Sequence, residues 1–228
     1  MSKRFKIDFK NLDIVKVFYG VIFIGLFVTI IALSFRGPGP ITNILIESDE
    51  DFSRYSSEGN GTELAPFIID EYILDTGVDY AIIVRDTTMH FTISNCTISD
   101  ATLGILIENV TLGTALIQGN DFIRNNVSVQ VIDTANCSIV SNSIVNNTDY
   151  SIKLHTTAVN CSVFQNDFID NNIGGGSQAL DNGISNFWYY PVDSKGNYWS
   201  DIGLNPTYSI NGTAGSVDIF PEPDPLYS

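Results

Sequence analysis

Positive charge is scarce in this chain, and so are the residues that build metal and redox chemistry. Of 228 residues only 11 are Lys or Arg against 26 Asp or Glu, with two histidines, two methionines and three cysteines. Beyond residue 36 five basic side chains remain (Arg54, Arg85, Arg124, Lys153 and Lys195) beside 24 of the 26 acids. A surface of that sign repels nucleic acid, which is excluded as a partner. Copper needs converging His, Cys or Met, and Met89-His90 with a distant His155 do not supply it. No cofactor is expected; calcium on Asp-rich turns stays open but unspecific. Three cysteines make no even disulfide framework. An acidic stretch of about 190 residues can bury one core and suits a domain outside the cell.

Charge is missing altogether from Val17 to Phe35, a run of 19 residues. As a helix it reaches roughly 28 Å, close to the bilayer core of about 30 Å. The basic leader over 1–16 precedes it and only Arg36 follows, so 17–35 is expected to be a transmembrane signal-anchor with the N-terminus cytoplasmic. The membrane is then a partner through 17–35, and the rest is extracellular. A cleaved signal peptide ending near Ala32-Leu-Ser34 is the competing reading. Residues 36–40, with Gly37-Pro-Gly-Pro40, read as a stiff linker.

What is abundant is repetition. Tyr80-Ala-Ile-Ile-Val-Arg-Asp86 is followed by Gly104-Ile-Leu-Ile-Glu-Asn109, Ser128-Val-Gln-Val-Ile-Asp133 and Ser151-Ile-Lys-Leu-His-Thr156. The pairs Ile82/Val84, Ile105/Ile107, Val129/Val131 and Ile152/Leu154 recur at steps of 23, 24 and 23 residues. Alternation within each run puts every pair on one side of its strand. Two further strand-like runs follow in each repeat, such as Cys137-Ser-Ile and Asn142-Ser-Ile-Val. One coil fixes about 23 residues at roughly 1–2 kcal/mol each, whereas five or six buried aliphatic side chains return about 1.5–3 kcal/mol apiece. A coil therefore cannot stand alone, and stacking of like coils must supply the rest. The pattern predicts an all-β fold, a right-handed parallel β-helix of about 5–6 coils over 80–203. A strand and capping coil over 41–79 precede it, and a tail over 204–228 follows.

Asn125/Asn126, Asn146/Asn147 and Asn171/Asn172 close the third strand of successive repeats, where Asn tolerates a left-handed corner. Stacked corners predict either an amide ladder or simply polar turns. Cys137 and Cys161 fall at equivalent positions, which favours buried free thiols over a strained bridge between coils. Eight Asn-x-Ser/Thr triplets begin at Asn60, Asn95, Asn109, Asn126, Asn136, Asn146, Asn160 and Asn211.

Gly59-Asn-Gly-Thr62, then Pro66-Phe-Ile-Ile69, then the repeats and Gly196-Asn-Tyr-Trp-Ser-Asp201 resemble the NosD-like group of right-handed parallel β-helix proteins. That group is a branch of the pectate-lyase-like superfamily, and the N-terminal arrangement is similar to membrane-anchored archaeal members. The resemblance implies the fold over most of 40–228. For activity it implies a range: lyases, hydrolases, sugar binders and a copper-maturation factor. The tail lacks the Asp-Gly-rich segment such chains often carry.

On the outer face of the first strands, Arg85, Glu108, Ile132 and His155 form one column, beside Ile83, Leu106, Gln130 and Lys153. In the resembling superfamily that face forms a saccharide groove. Glycoside hydrolysis needs two carboxylates about 5–9 Å apart, and Glu108 has no evident partner there. Asp86 and Asp133, at the turn after the strand, are the other catalytic candidates. The ligand-binding candidates are Arg85, Gln130, Lys153, His155 and the aromatic Trp188, Tyr189 and Tyr190. The run Phe187-Trp-Tyr-Tyr190 is either a plug over the apolar stack or a platform for sugar rings. The expectation is a non-catalytic ectodomain that binds a glycan or a surface protein. The alternatives are a polysaccharide lyase or glycoside hydrolase, a structural spacer, and a copper-related factor.

Overall fold

The computed structural model describes residues 41–75, 77–110 and 115–227. The leader, the apolar run 17–35 and the linker to residue 40 lie outside the described residues. Among the described residues no helix is long and apolar enough to cross a membrane.

Three parallel sheets run along the repeat. The first contains Ile44–Ile46, Tyr80–Thr87, Leu103–Val110, Val127–Ile132, Ile152–Leu154 and Ala179–Asp181, each beside its equivalent one coil away. The second holds Phe67–Asp70, Phe91–Ser94, Ala115–Gln118, Ser138–Val140 and Ser162–Phe164. The third holds Ile73–Asp75, Thr97–Ser99, Asp121–Ile123, Ser143–Val145, Asp167–Ile169 and Tyr198–Trp199. This is the parallel β-helix the repeat predicts, about five turns long. Ile44, Ile82, Ile105, Val129, Ile152 and Ala179 are in register and fully buried, one column of the core. At about 4.8 Å per coil each member packs on the next, which is how a coil too small to fold alone becomes stable.

The corners explain the asparagines. A left-handed residue ends the second strand of successive coils at Glu71, Asn95, Gly119, Ser141 and Gln165, and the third at Asp100, Arg124, Asn146 and Asp170. At several of these corners the residue after the turn points inward and is itself Asn. Asn120, Asn142, Asn166 and Asn197 form one amide ladder, with Nδ2 to Oδ1 distances of 3.0, 2.9 and 3.0 Å. Asn125, Asn147 and Asn171 form a second. The ladder alternative thus holds, with one Asn of each expected pair: Asn126, Asn146 and Asn172 stay outside it. The Asn120 ladder has no Asn-Asn pair to announce it.

Cys96, Cys137 and Cys161 are free and buried, Cys137 and Cys161 each immediately before one of two paired strands. Burial pushes the Cys96 and Cys161 thiols up to about 11 and Cys137 well above the usual thiol range. They are unreactive core residues.

Each end of the stack is closed. At the N-terminal end a 3-10 turn, Asp49–Arg54, lays buried Phe52 over Phe67, ring centroids 4.8 Å apart and nearly coplanar. Gly59 is required beside it: with φ of 95°, an added Cβ would sit 1.9 Å from the Pro66 carbonyl oxygen. At the C-terminal end Phe168, Trp199 and Tyr208 stack with centroids 4.1 and 3.9 Å apart. Above them the hairpin of Tyr208–Ser209 and Val217–Asp218 folds across the last coil.

Candidate functional site

The first sheet presents the expected outer columns, and its charges are already paired. Ile83, Leu106, Gln130 and Lys153 are in register, as are Arg85, Glu108 and Ile132. Arg85 bridges two acids: its guanidinium donates to Glu47, one coil toward the N-terminus, and lies 3.9 Å from Glu108 on the other side. Sequence reasoning missed Glu47 because its strand, Ile44–Ile46, lies outside the repeat that ordered the column. The Glu47 pairing first, then Glu108, holds the arginine above its ordinary value.

The three carboxylates singled out lie on three successive coils, Asp86 and Asp133 level with Asn109, and Glu108 one residue before it. Glu108 faces Arg85, exposed Asp86 accepts the Asn109 Nδ2 at 2.7 Å, and exposed Asp133 has its backbone N–H on Thr157 Oγ1 at 2.9 Å. Lys153 is held by Asp149 at 2.7 Å and lies over the Tyr150 ring. Gln130 is half-buried and His155 exposed, neither with a side-chain hydrogen bond among the described residues. No group of three or more His, Cys, Asp or Glu among the described residues is arranged to hold a metal ion. The outer face of this sheet is a mixed aliphatic and ion-paired surface.

The aromatic run divides in two. Trp188 is buried, its indole donating to Asp181 Oδ2 at 2.9 Å, so it belongs to the plug and is beyond a ligand's reach. Its neighbours on either side point outward, as alternation requires. Phe187 pairs with Ser162 and continues the outward column of the second sheet. Tyr189 meets Phe187 edge-on at 6.3 Å and Phe220 at 5.3 Å, while Tyr190 stacks on Phe164 at 5.0 Å. Phe187, Tyr190 and Phe220 each keep 38–39% of their surface exposed, with Ile184 and Val192 more open still. The rings form two clusters at the C-terminal end, Phe187 with Tyr189 and Phe220, and Phe164 with Tyr190, which meet in sequence at Tyr189-Tyr190; Ser138 and Ser162 precede Phe187 in its outward column. Sequence reasoning found Tyr189 and Tyr190. It missed Phe164 and Phe220, whose part depends on the fold of the tail.

Those clusters rest on a rigid polar frame. Asp181 also accepts Asn186 Nδ2 at 2.9 Å and Ser216 Oγ at 2.7 Å. Asp218 accepts the Trp199 indole at 3.0 Å and the Asn197 backbone N–H at 2.7 Å, and burial nonetheless raises its carboxyl above the usual range. Gly196 allows this crossing, since a Cβ there would lie 2.3 Å from Asp218 Oδ1 and the Phe220 carbonyl oxygen alike. The neighbouring cleft of about 370 Å³, between Gly176 and 201–209, offers no free base. Its Asp201 is taken by Gln178 and Tyr208.

A family model described as right handed beta helix region matches residues 66–188, more than half of the chain. No curated protein and no solved structure matches.

Proposed function

The chain belongs to the right-handed β-helix family, and from that premise we propose that it is a membrane-anchored, exported ectodomain that binds a glycan without cleaving it. The observation that carries this reading is the pair of ring clusters at the C-terminal end, Phe187 with Tyr189 and Phe220, and Phe164 with Tyr190, in which Phe187, Tyr190 and Phe220 are exposed. Exposed rings pack against the apolar faces of pyranose rings, while hydroxyls such as Ser138 and Ser162 meet sugar hydroxyls at the edge. Exposed aromatic rings clustered on an otherwise acidic domain call for an occupant. Anchoring rests on the apolar run 17–35, and kinship to the NosD-like branch on Gly196-Asn-Tyr-Trp-Ser-Asp201. Cleavage is disfavoured by the partners the carboxylates already have: Glu108 lies against Arg85, and Asp86 accepts the Asn109 Nδ2.

The test is retention and product release with the full chain on a panel of neutral and acidic polysaccharides, with and without calcium. Retention without new chain ends is expected. Tyr190→Ala should weaken retention roughly tenfold, the size of one lost ring contact of about 1.4 kcal/mol. Shortened or unsaturated products would instead make the protein an enzyme, and neither retention nor products would leave a spacer.

A further inference from the structure

Burial sorts the asparagines of this chain in a way that folding alone does not require. Seven are buried in the two ladders, at 120, 125, 142, 147, 166, 171 and 197, and none begins an Asn-x-Ser/Thr triplet. Among the described residues eight are exposed, and seven of these do: Asn60, Asn95, Asn109, Asn126, Asn136, Asn146 and Asn160. The eighth, Asn205, is followed by Pro206 and Thr207, a triplet that the proline disables. Half-buried Asn211 begins the last.

Strand parity accounts for part of this. After an outward corner such as Asn136 the next residue points in and the one after that points out, where Ser138 is at home. Parity does not account for Asn126. Its triplet ends at Ser128, which is fully buried in the strand Val127–Ile132. Ser128 Oγ is the one buried side-chain oxygen or nitrogen among the described residues with no hydrogen-bond partner. The same position one and two coils earlier is Gly104 and Ala81, and one coil later it is Ser151, also buried but with its hydroxyl donating to the Gln178 carbonyl at 2.7 Å. An unpartnered hydroxyl there costs stability that alanine would not. What the hydroxyl supplies is the third member of a triplet.

We propose that this chain is N-glycosylated, with Asn126 the diagnostic acceptor and Asn60, Asn95, Asn136, Asn146 and Asn160 the others. This rests on the export reading above. The donor is a sugar carried on a lipid phosphate. The Asn Nδ2 attacks the anomeric carbon, the bond from that carbon to the phosphate oxygen breaks, and the lipid phosphate leaves with the electron pair. Nδ2 gives up one proton, and no oxidation or reduction is involved. Transfer to Asn126 precedes closure of its coil, while Ser128 is still accessible. None of the six acceptor nitrogens makes a hydrogen bond within the described residues, so a sugar displaces nothing. Asn109 and Asn211 differ, their Nδ2 atoms donating to Asp86 at 2.7 Å and Tyr150 Oη at 3.0 Å, and a sugar would break those contacts.

The experiment is mass spectrometry of the full chain purified from its own source, with protease accessibility of 42–228 on intact cells measured alongside. The expected intact mass exceeds the 25.0 kDa of the polypeptide by discrete sugar increments, one carried on the Asn126 peptide. Ser128→Ala should lose that increment alone while keeping or raising the melting midpoint; Asn126→Gln should lose the same increment. A protease-accessible domain with unmodified Asn126 overturns glycosylation and leaves export standing. A protected, unmodified domain overturns both. A midpoint lowered by several degrees in Ser128→Ala makes the hydroxyl structural and removes the argument for Asn126.

Discussion

The two ends of the stack face the same problem, an open apolar coil, and close it by different means. The N-terminal end uses a single ring, Phe52, laid on Phe67 and Phe91 by one short turn. The C-terminal end uses Phe168, Trp199 and Tyr208 together with buried carboxylates. The difference follows from the direction of the amide ladders. Each Asn donates toward the C-terminus and accepts from the coil before it, so a ladder begins on a mere backbone N–H, at Cys96 or Ala101. It must end on an acceptor. Asp218 ends one ladder, and Gln178, itself donating to Asp201 at 2.7 Å, ends the other. One end of the stack is an apolar problem; the other is also a hydrogen-bonding problem, and only the second needs the tail.

The largest effect should therefore come from the terminator. Asp218→Ala leaves the Asn197 N–H, the Trp199 indole and the Phe220 N–H without their acceptor, while Asn197 Nδ2 keeps the Val163 and Trp188 carbonyls. Loss of about 3–5 kcal/mol is expected in urea unfolding, the range for orphaning several buried donors. Phe52→Ala at the other end should cost about 3–4 kcal/mol, a cavity beneath a lid. The two differ in kind: Asp218→Asn, which keeps one acceptor oxygen, should recover part of the loss, whereas Phe52→Leu should recover most of its own. An Asp218→Ala protein as stable as the parent would break the distinction between the ends.

The repeating middle was legible because every residue there is announced several times. Ile82, Ile105, Val129 and Ile152 each confirm the others, and period-2 alternation gives their direction. The terminators occur once and carry no period. Asp218 lies 21 residues from Asn197, in a tail with no strand pattern strong enough to place it. Trp188 and Tyr189 adjoin in sequence, yet one is plug and the other surface, a division decided by parity with Val163 and Phe164 one coil below. Glu47 escaped notice for the same reason as Asp218: it belongs to a coil whose spacing to the next is irregular.

Acid should separate the ends further. Burial raises the carboxyls of Asp167 and Asp218, so their folded values exceed the unfolded ones. Their contribution is fully present below the unfolded value of about 3.9 and is lost as pH rises through the folded values. At the N-terminal half the sign is opposite. The Ser48 hydroxyl lowers Asp51 and the Arg124 guanidinium lowers Asp100, so their contribution is present above the unfolded value and fades as pH falls through the folded ones. Both tryptophans lie at the C-terminal end and Cys96 nearer the other, which gives each half its own probe. Below about pH 4, where the lowered carboxyls begin to protonate, Cys96 labelling by an acid-tolerant pyridyl disulfide should accelerate before tryptophan emission changes. Simultaneous change would mean the stack titrates as one unit.

The smallest effect is expected on the outer face of the first sheet. Arg85→Gln removes an exposed cation between Glu47 and Glu108, and such pairs contribute little because water screens them and their side chains must be ordered. Stability should hold within the error of equilibrium unfolding, with slightly more dependence on salt as two acids lose their shared partner. Polysaccharide retention should also hold, because the aromatic surface lies several coils away at the other end. Retention lost in Arg85→Gln but kept in Tyr190→Ala would move the ligand to the first sheet, where Gln130, Lys153 and His155 stand on the same face. The contrast between the ends would then concern stability alone and say nothing of where the molecule binds.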